Sequence, residues 1–261
     1  MALYLASITE IKVISRMKGM EIRWKMKYAR TVIAEAYRRF KNLALSWSGG
    51  KDSTVMLHLV LEYAREHRLE EPLVIASDPI PFRETEEYCR RVIEKWGIKR
   101  YVFWSRDLLK PEHLEHISEP GLDKLECCYW LKVRPLNEFI ESRGIDGLFV
   151  AIRWDEHPER AKEKFFSPRK NPEHYRIHPL LHFTLPEIWK YVLDNRLPVN
   201  PLYLKGYLSL GCKPCTFPVV RQGFKSIEEI YEYVCKGTKE RAGRSIDKER
   251  IMERLRQLGY F

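Results

Sequence analysis

Apolar residues recur at helical spacing among charges over residues 21–40 (EIRWKMKYARTVIAEAYRRF), which predicts an amphipathic helix. It leads into a short apolar run at 42–47 (NLALSW), the hexapeptide SGGKDS at 48–53, and a stretch of helical periodicity at 54–65 (TVMLHLVLEYAR). The pattern then repeats. Residues 72–77 (PLVIAS) predict a second buried strand, 84–96 a second helix, 100–104 (RYVFW) a third strand, 131–142 another helix and 147–152 (GLFVAI) a fourth strand. Continuous apolar strands alternating with helices predict an α/β fold with a parallel sheet covered on both faces. Ligands in such sheets bind beyond the carboxyl ends of the strands, where the SGGKDS loop falls.

After residue 153 the pattern changes to a charged, proline-punctuated stretch at 153–179, too polar for core, which reads as a loop or lid. Thr184 followed by Glu187 forms a capping box for a helix beginning PEIWKYVLDNR. Past Pro201 come a cysteine-bearing loop and a charged helical segment at 226–258. We divide the chain into a helical lead-in at 1–40, a nucleotide-binding domain at 41–220 and a C-terminal helical tail at 221–261. Neither an internal repeat nor a low-complexity tract is present.

Composition narrows the class. With 44% hydrophobic and 12% aromatic residues among 261, the chain can bury a substantial core. Residues 1–6 are apolar, but Glu10 and Lys12 follow at once without a preceding basic stretch, so no secretory signal is expected. No apolar run reaches the length of a membrane span. The six cysteines in such a chain predict thiols or metal ligands rather than a disulfide framework, and the cytosol as compartment. A net charge of +10 favours anionic partners, whether nucleotide, sulfate or RNA. Lys, Arg and Glu are abundant while Gln occurs only at 222 and 257, a bias that suits adaptation to heat.

In the 48–53 loop, Gly49 and Gly50 let the backbone turn its amides toward an anion, and the following helix adds its positive end. Lys51 would place a point charge on terminal phosphates, Ser48 and Ser53 offer hydroxyl donors, and Asp52 would position a metal ion or cap the helix. The spacing is not that of the Walker loop, because the glycine pair adjoins the lysine directly.

A strand followed by SGGKDS resembles the PP-loop of the ATP pyrophosphatase superfamily, whose members cleave ATP between the α and β phosphates. The resemblance continues through SDPIPFRETEEYCRRV, AIRWDEHPERAKEKFFSPR, RIHPLLHFTLPEIWKYV, NPLYLKGYLSLGCKPCT and TKERAGRSIDKERIMERLRQLGYF, covering about residues 30 to 261. These blocks are similar to the branch holding phosphoadenylyl sulfate (PAPS) reductases and the small subunit of sulfate adenylyltransferase. The resemblance implies an adenine nucleotide alpha hydrolase-like fold, ATP or adenylyl sulfate as substrate, and a role in sulfate assimilation.

Within that branch, Cys127-Cys128 and Cys212-Lys213-Pro214-Cys215 resemble the positions that hold a four-iron four-sulfur (4Fe-4S) cluster in adenylyl sulfate reductases; four thiolates also suit zinc, although adjacent cysteines strain a small tetrahedral site. The reductases also need a nucleophilic cysteine in an ECGLH-type segment, which this chain lacks; Cys235 is the remaining candidate. Lys51 and the blocks RAKEKFFSPR and ERAGRSIDKER instead resemble the adenylyltransferase subunit. Asp78, after the second strand, resembles the acidic residue that contacts the nucleoside. Arg153 directly follows the fourth strand and so is expected at the nucleotide edge, beside Arg160, Lys162, Lys164 and Arg169. His178 reads equally as ligand contact or structural histidine. The leading expectation is ATP-dependent adenylyl transfer to sulfate with release of pyrophosphate, using magnesium, Lys51 and Arg153, with a GTPase subunit as possible partner. The alternatives are an iron-sulfur reductase of adenylyl sulfate or PAPS fed by a thiol donor protein, and an enzyme that inserts sulfur into tRNA.

Overall fold

The strand Leu43–Trp47 (β1) lies at the centre of the sheet because both of its faces meet apolar layers. It pairs in parallel with Leu73–Ala76 (β2) on one side and Gly147–Val150 (β4) on the other. Tyr101–Phe103 (β3) continues the sheet beyond β2, and Glu173–Ile177 (β6) beyond β4, both in parallel. Phe166–Lys170 (β5) closes the edge antiparallel to β6, so the strand order is β3-β2-β1-β4-β6-β5. The computed structural model describes residues 21–115 and 123–260; the apolar start at 1–6 and the first half of the 1–40 lead-in lie outside the described residues.

Helices cover both faces. Ile22–Arg39 (α1), Lys51–Glu66 (α2) and Leu185–Asp194 (α6) pack Ile33, Leu59 and Trp189 into one core. On the opposite face Arg134–Arg143 (α5) sets Phe139 and Ile140 against Ala44, Ile75 and Leu148. Arg83–Trp96 (α3) follows β2, and Lys124–Cys128 (α4) precedes α5. This is the expected α/β architecture. The predicted cap is present as well, the Thr184 N–H donating to the Glu187 carboxylate at 2.7 Å.

One expectation needs correction. Residues 153–179, expected as a loop or lid, contain the β5–β6 hairpin that extends the sheet. Polarity conceals it, because Ser167, His174 and Arg176 are buried there with polar neighbours in place of apolar ones: His174 Nδ1 pairs with the Pro172 carbonyl at 2.8 Å, and Arg176 donates to the Gly259 carbonyl at 3.2 Å. The helical segment 226–258 comprises three helices, Ile227–Cys235 (α7), Ile246–Arg250 (α8) and Met252–Gln257 (α9), separated by turns. Ile251, Met252 and Leu255 of this segment pack with Cys128, Ile152 and Trp154, so the tail shares a core with the sheet's carboxyl edge.

At the end of β1 the chain passes through Gly49 with φ +72°, and a Cβ there would lie 3.0 Å from Thr85 Cγ2 and 3.1 Å from Cys89 Sγ. Both the left-handed backbone and the packing of α3 against the loop therefore require glycine. The substitution Gly49→Ala is expected to lower stability by about 1–3 kcal/mol, read from the shift of a urea unfolding curve with unchanged slope.

Candidate active site

The order of strands reverses at β1: the chain builds outward through β2 and β3 and then returns to the other side of β1 with β4. A pocket opens beyond these carboxyl ends, where a reversal in strand order leaves a crevice. Ser48, Gly50, Lys51, Asp52 and Ser53 form its floor and Asp78 part of its wall. The loop is pinned from several directions. Ser48 Oγ lies 3.2 Å from Ser53 Oγ and accepts from the Gly50 N–H at 3.4 Å, while Asn200 Nδ2 donates to the Gly49 carbonyl at 3.4 Å and to Thr85 Oγ1 at 3.0 Å. The Lys51 N–H donates to the buried Tyr203 hydroxyl at 2.8 Å.

Charge is concentrated in this pocket. Lys51, Lys132, Arg160, Arg176, Arg241 and Arg244 line it, against three carboxylates, Asp52, Asp78 and Glu156. Burial pulls the Lys51 ammonium down to about 8, although it rests 2.9 Å from Asp52 Oδ2. Burial likewise brings Arg176 down to about 9, and its Nε is buried without a hydrogen-bond partner among the described residues. Glu156 is held below the ordinary carboxylate range in spite of its burial, because Arg160, Arg153 and Lys51 surround it. A buried excess of cations is costly unless an anion completes it.

Asp78 Oδ1 accepts from Lys132 Nζ at 2.8 Å, while Asp78 Oδ2 is buried with no partner among the described residues. Burial opposes the charge of Lys132, but Asp78 and Cys212 more than offset it and hold the ammonium above its ordinary range. The Lys132 ammonium also reaches the Tyr260 hydroxyl at 3.2 Å. Arg241, Arg244 and Tyr260 thus bring the C-terminal segment into the pocket wall.

Arg153 is placed differently from expectation. Its side chain is fully buried and does not line the pocket; it pairs with Asp52 of the loop, with Asp155 at 3.0 Å and with Glu240 of the C-terminal segment. Of the other basic residues in 153–169, Arg160 lines the pocket, whereas Lys162 is half exposed beside Glu159 and Arg169 pairs with Glu163 at 3.0 Å. His178 is structural: burial holds its ring down at about 4, and Nδ1 donates to the Val150 carbonyl at 3.0 Å.

The structure brings Cys127, Cys128, Cys212 and Cys215 together around one cavity, whose wall also contains Lys124 and Lys248. Lys132 and Arg244 belong to both this cavity and the cation-lined pocket. Burial raises the Cys127 thiol, and Cys128, Cys212 and Cys215 raise it further, so the four sulfurs lie within electrostatic reach of one another. Among the described residues no three His, Cys, Asp or Glu side chains converge closely enough to hold a single metal ion. Cys89 is buried behind the loop, and Cys235 is exposed at the end of α7, away from both cavities.

Sequence reasoning missed Lys132, Arg176, Tyr203, Asn200 and Tyr260. Each is a single polar residue inside an otherwise ordinary helix, strand or loop pattern: Lys132 precedes α5, Arg176 lies on β6, Asn200 and Tyr203 follow α6, and Tyr260 belongs to the closing segment.

Residues 42–218 match the phosphoadenosine phosphosulfate reductase domain. The chain is 31% identical over 199 residues to adenosine 5'-phosphosulfate reductase 1 of Bacillus subtilis, covering 74% of this chain and 81% of that protein. A Bacillus cereus adenosine 5'-phosphosulfate reductase is 30% identical over 202 residues, again covering 74% and 81%. Among solved structures, phosphoadenylyl-sulfate reductase from Candida auris superposes with a TM-score of 0.57 at 17% identity, over 75% of this chain and 96% of that one. The FMN adenylyltransferase of Candida glabrata, bound to FAD and pyrophosphate, superposes with a TM-score of 0.60 at 18% identity, over 79% and 73%. These likenesses support the PP-loop fold, and the matched domain covers most of the described sheet and both cysteine pairs: the chain belongs to the phosphoadenosine phosphosulfate reductase domain family.

Proposed function

We propose that the chain is a sulfonucleotide reductase acting on adenylyl sulfate or its 3'-phosphorylated form. This replaces adenylyl transfer as the leading reading, since the Bacillus relatives described above are named adenosine 5'-phosphosulfate reductases. The observation that carries it is the shared wall of Lys132 and Arg244 between the cation-lined pocket and the four-cysteine cavity.

In this reading the loop amides, Ser48, Ser53 and Lys51 hold the phosphate, and Arg160, Arg241 and Arg244 surround the sulfate. Asp78 Oδ2, buried and without a partner, accepts from a hydroxyl or amine of the nucleoside. A thiolate attacks the sulfate sulfur, forming an S–S bond as the S–O bond to the phosphate breaks, and AMP leaves with the electron pair. A second thiol then attacks the thiol sulfur, giving a disulfide and releasing sulfite. Among the described residues no cysteine lines the pocket, so both thiols come from an external donor. Lys51 and the guanidinium groups stabilise the charge that moves onto the leaving phosphate.

The donor set of the cysteine cavity suits a 4Fe-4S cluster, because four cysteines from two pairs line it and such a cluster takes four thiolates. Cys127, Cys128, Cys212 and Cys215 would hold it, and when bound it supplies a fixed anionic centre beside Lys132. Arg153 is a positioning residue, orienting Asp52 from beneath the loop.

A second reading, adenylyl transfer from ATP, is favoured by one feature, the Lys51 ammonium on the pocket floor, which suits terminal phosphates. The two readings separate in one assay. With adenylyl sulfate and a dithiol under anaerobic conditions the protein is expected to form sulfite and AMP, and with ATP and sulfate no pyrophosphate. Protein as purified should contain iron and acid-labile sulfide, which Cys212→Ser removes. Cys235→Ser should leave sulfite formation intact; its loss would make Cys235 the nucleophile.

The lowered Lys51 ammonium sets a pH dependence. A group near 8 in the free protein loses its charge as pH rises through that value, so affinity for AMP should weaken above pH 8, by up to about tenfold per unit. Titration calorimetry at stepped pH checks this: Lys51→Met should abolish the dependence, and Lys51→Arg should move it to higher pH.

A further inference from the structure

The C-terminal segment is fastened at both cysteine pairs. Lys248, almost fully buried on α8, donates from Nζ to Cys128 Sγ at 2.8 Å. The Ser245 N–H donates to the Cys215 carbonyl at 3.3 Å, and Arg244 donates to Thr216 Oγ1 at 3.1 Å. Arg244 passes directly over Gly211, where a Cβ would lie 2.1 Å from the guanidinium and displace it from its place between the two cavities. The same short stretch of chain then delivers Arg241 and Tyr260 to the nucleotide pocket. The turn at Cys212–Cys215 and the end of α4 belong to distant parts of the sequence, so what joins them decides whether both fastenings can hold at once.

We propose that Lys248 is a positioning residue that couples occupation of the four-cysteine cavity to closure of the C-terminal segment over the nucleotide pocket. The inference rests on the reading of that cavity as a cluster site. Ligation by one group fixes the Cys128 sulfur relative to Cys215 and leaves negative charge on it, which strengthens the contact from the ammonium. With both anchors fixed, the segment carrying Arg241, Arg244 and Tyr260 is held against the pocket. With the group removed, the anchors move independently and the segment opens, so the protein binds nucleotide well only when loaded.

A two-by-two comparison tests this, using wild type and Lys248→Met, each loaded and stripped of metal by chelator under anaerobic conditions. The readouts are AMP affinity by calorimetry and tryptic cleavage within residues 236–250. In wild type, stripping is expected to weaken AMP binding by about tenfold or more and to expose the segment to trypsin. In the loaded protein Lys248→Met should reproduce both effects with iron and sulfide content unchanged, whereas in the stripped protein it should change little, the non-additivity that marks coupled groups. Lys248→Arg should restore most of the affinity in the loaded state. A purely structural lysine would weaken both states equally, and that result would overturn the proposal. So would an AMP affinity and cleavage pattern in wild type that stripping does not alter, a comparison that needs no variant to fold. Absence of iron and sulfide from protein prepared anaerobically would instead overturn the cluster reading on which the proposal stands.

Discussion

The buried guanidinium of Arg153 is the interaction on which the site depends. It lies where three segments meet and pairs with a carboxylate from each: Asp52 on the loop, Asp155 beyond β4 and Glu240 in the closing segment. An arginine is suited to this, because its planar fork binds several acceptors in fixed directions. Removing any one partner leaves charge stranded without water, which is far more costly than the net worth of the pair. The geometry of the loop, the wall and the tail is therefore a single arrangement rather than three.

Asp52 transmits that arrangement to the pocket. One of its oxygens is committed to Arg153 and the other holds Lys51 Nζ at 2.9 Å, so the lysine is oriented by a residue that is itself fixed. Glu156 does the same for Arg160, at 2.5 Å, while its other contact is the Arg153 backbone N–H at 2.8 Å. The pocket's cations are thus preorganised by carboxylates that share its lining, and the cations outnumber them. Such an array costs no reorganisation when an anion arrives.

How much of this could be read in the sequence follows from how far each feature depends on neighbours in the chain. β1, the loop and α2 were legible because strand, glycine turn and helix follow one another directly, and Lys51, Asp52 and Asp78 sit where local pattern predicts. The cysteine pairs were legible as pairs. That Arg153 would face three carboxylates rather than the nucleotide edge was not, since Asp52 and Glu240 are 101 and 87 residues away. The β5–β6 hairpin was hidden because several of its buried positions are polar, with partners such as the Pro172 and Gly259 carbonyls, so neither alternation nor an apolar run marks them. Lys132 looked like one charge on a helix, and only the fold sets it between Asp78, Cys212 and Tyr260.

The two candidate chemistries differ in which bond breaks, and the distribution of charge bears on that choice. Pyrophosphate release would place the greatest developing charge deep on the loop, yet there Lys51 is already partly neutralised by Asp52 and lowered by burial. The cations Lys132, Arg241 and Arg244 line the rest of the pocket, and two of them, Lys132 and Arg244, also adjoin the cysteines. A substrate whose second anionic group is a sulfate pointing toward these cations would use them all, and a protein acting only through its loop would have no use for a cysteine cavity sharing two of its cations. The cation-lined wall, more than the loop that first identifies the fold, therefore favours sulfonucleotide reduction.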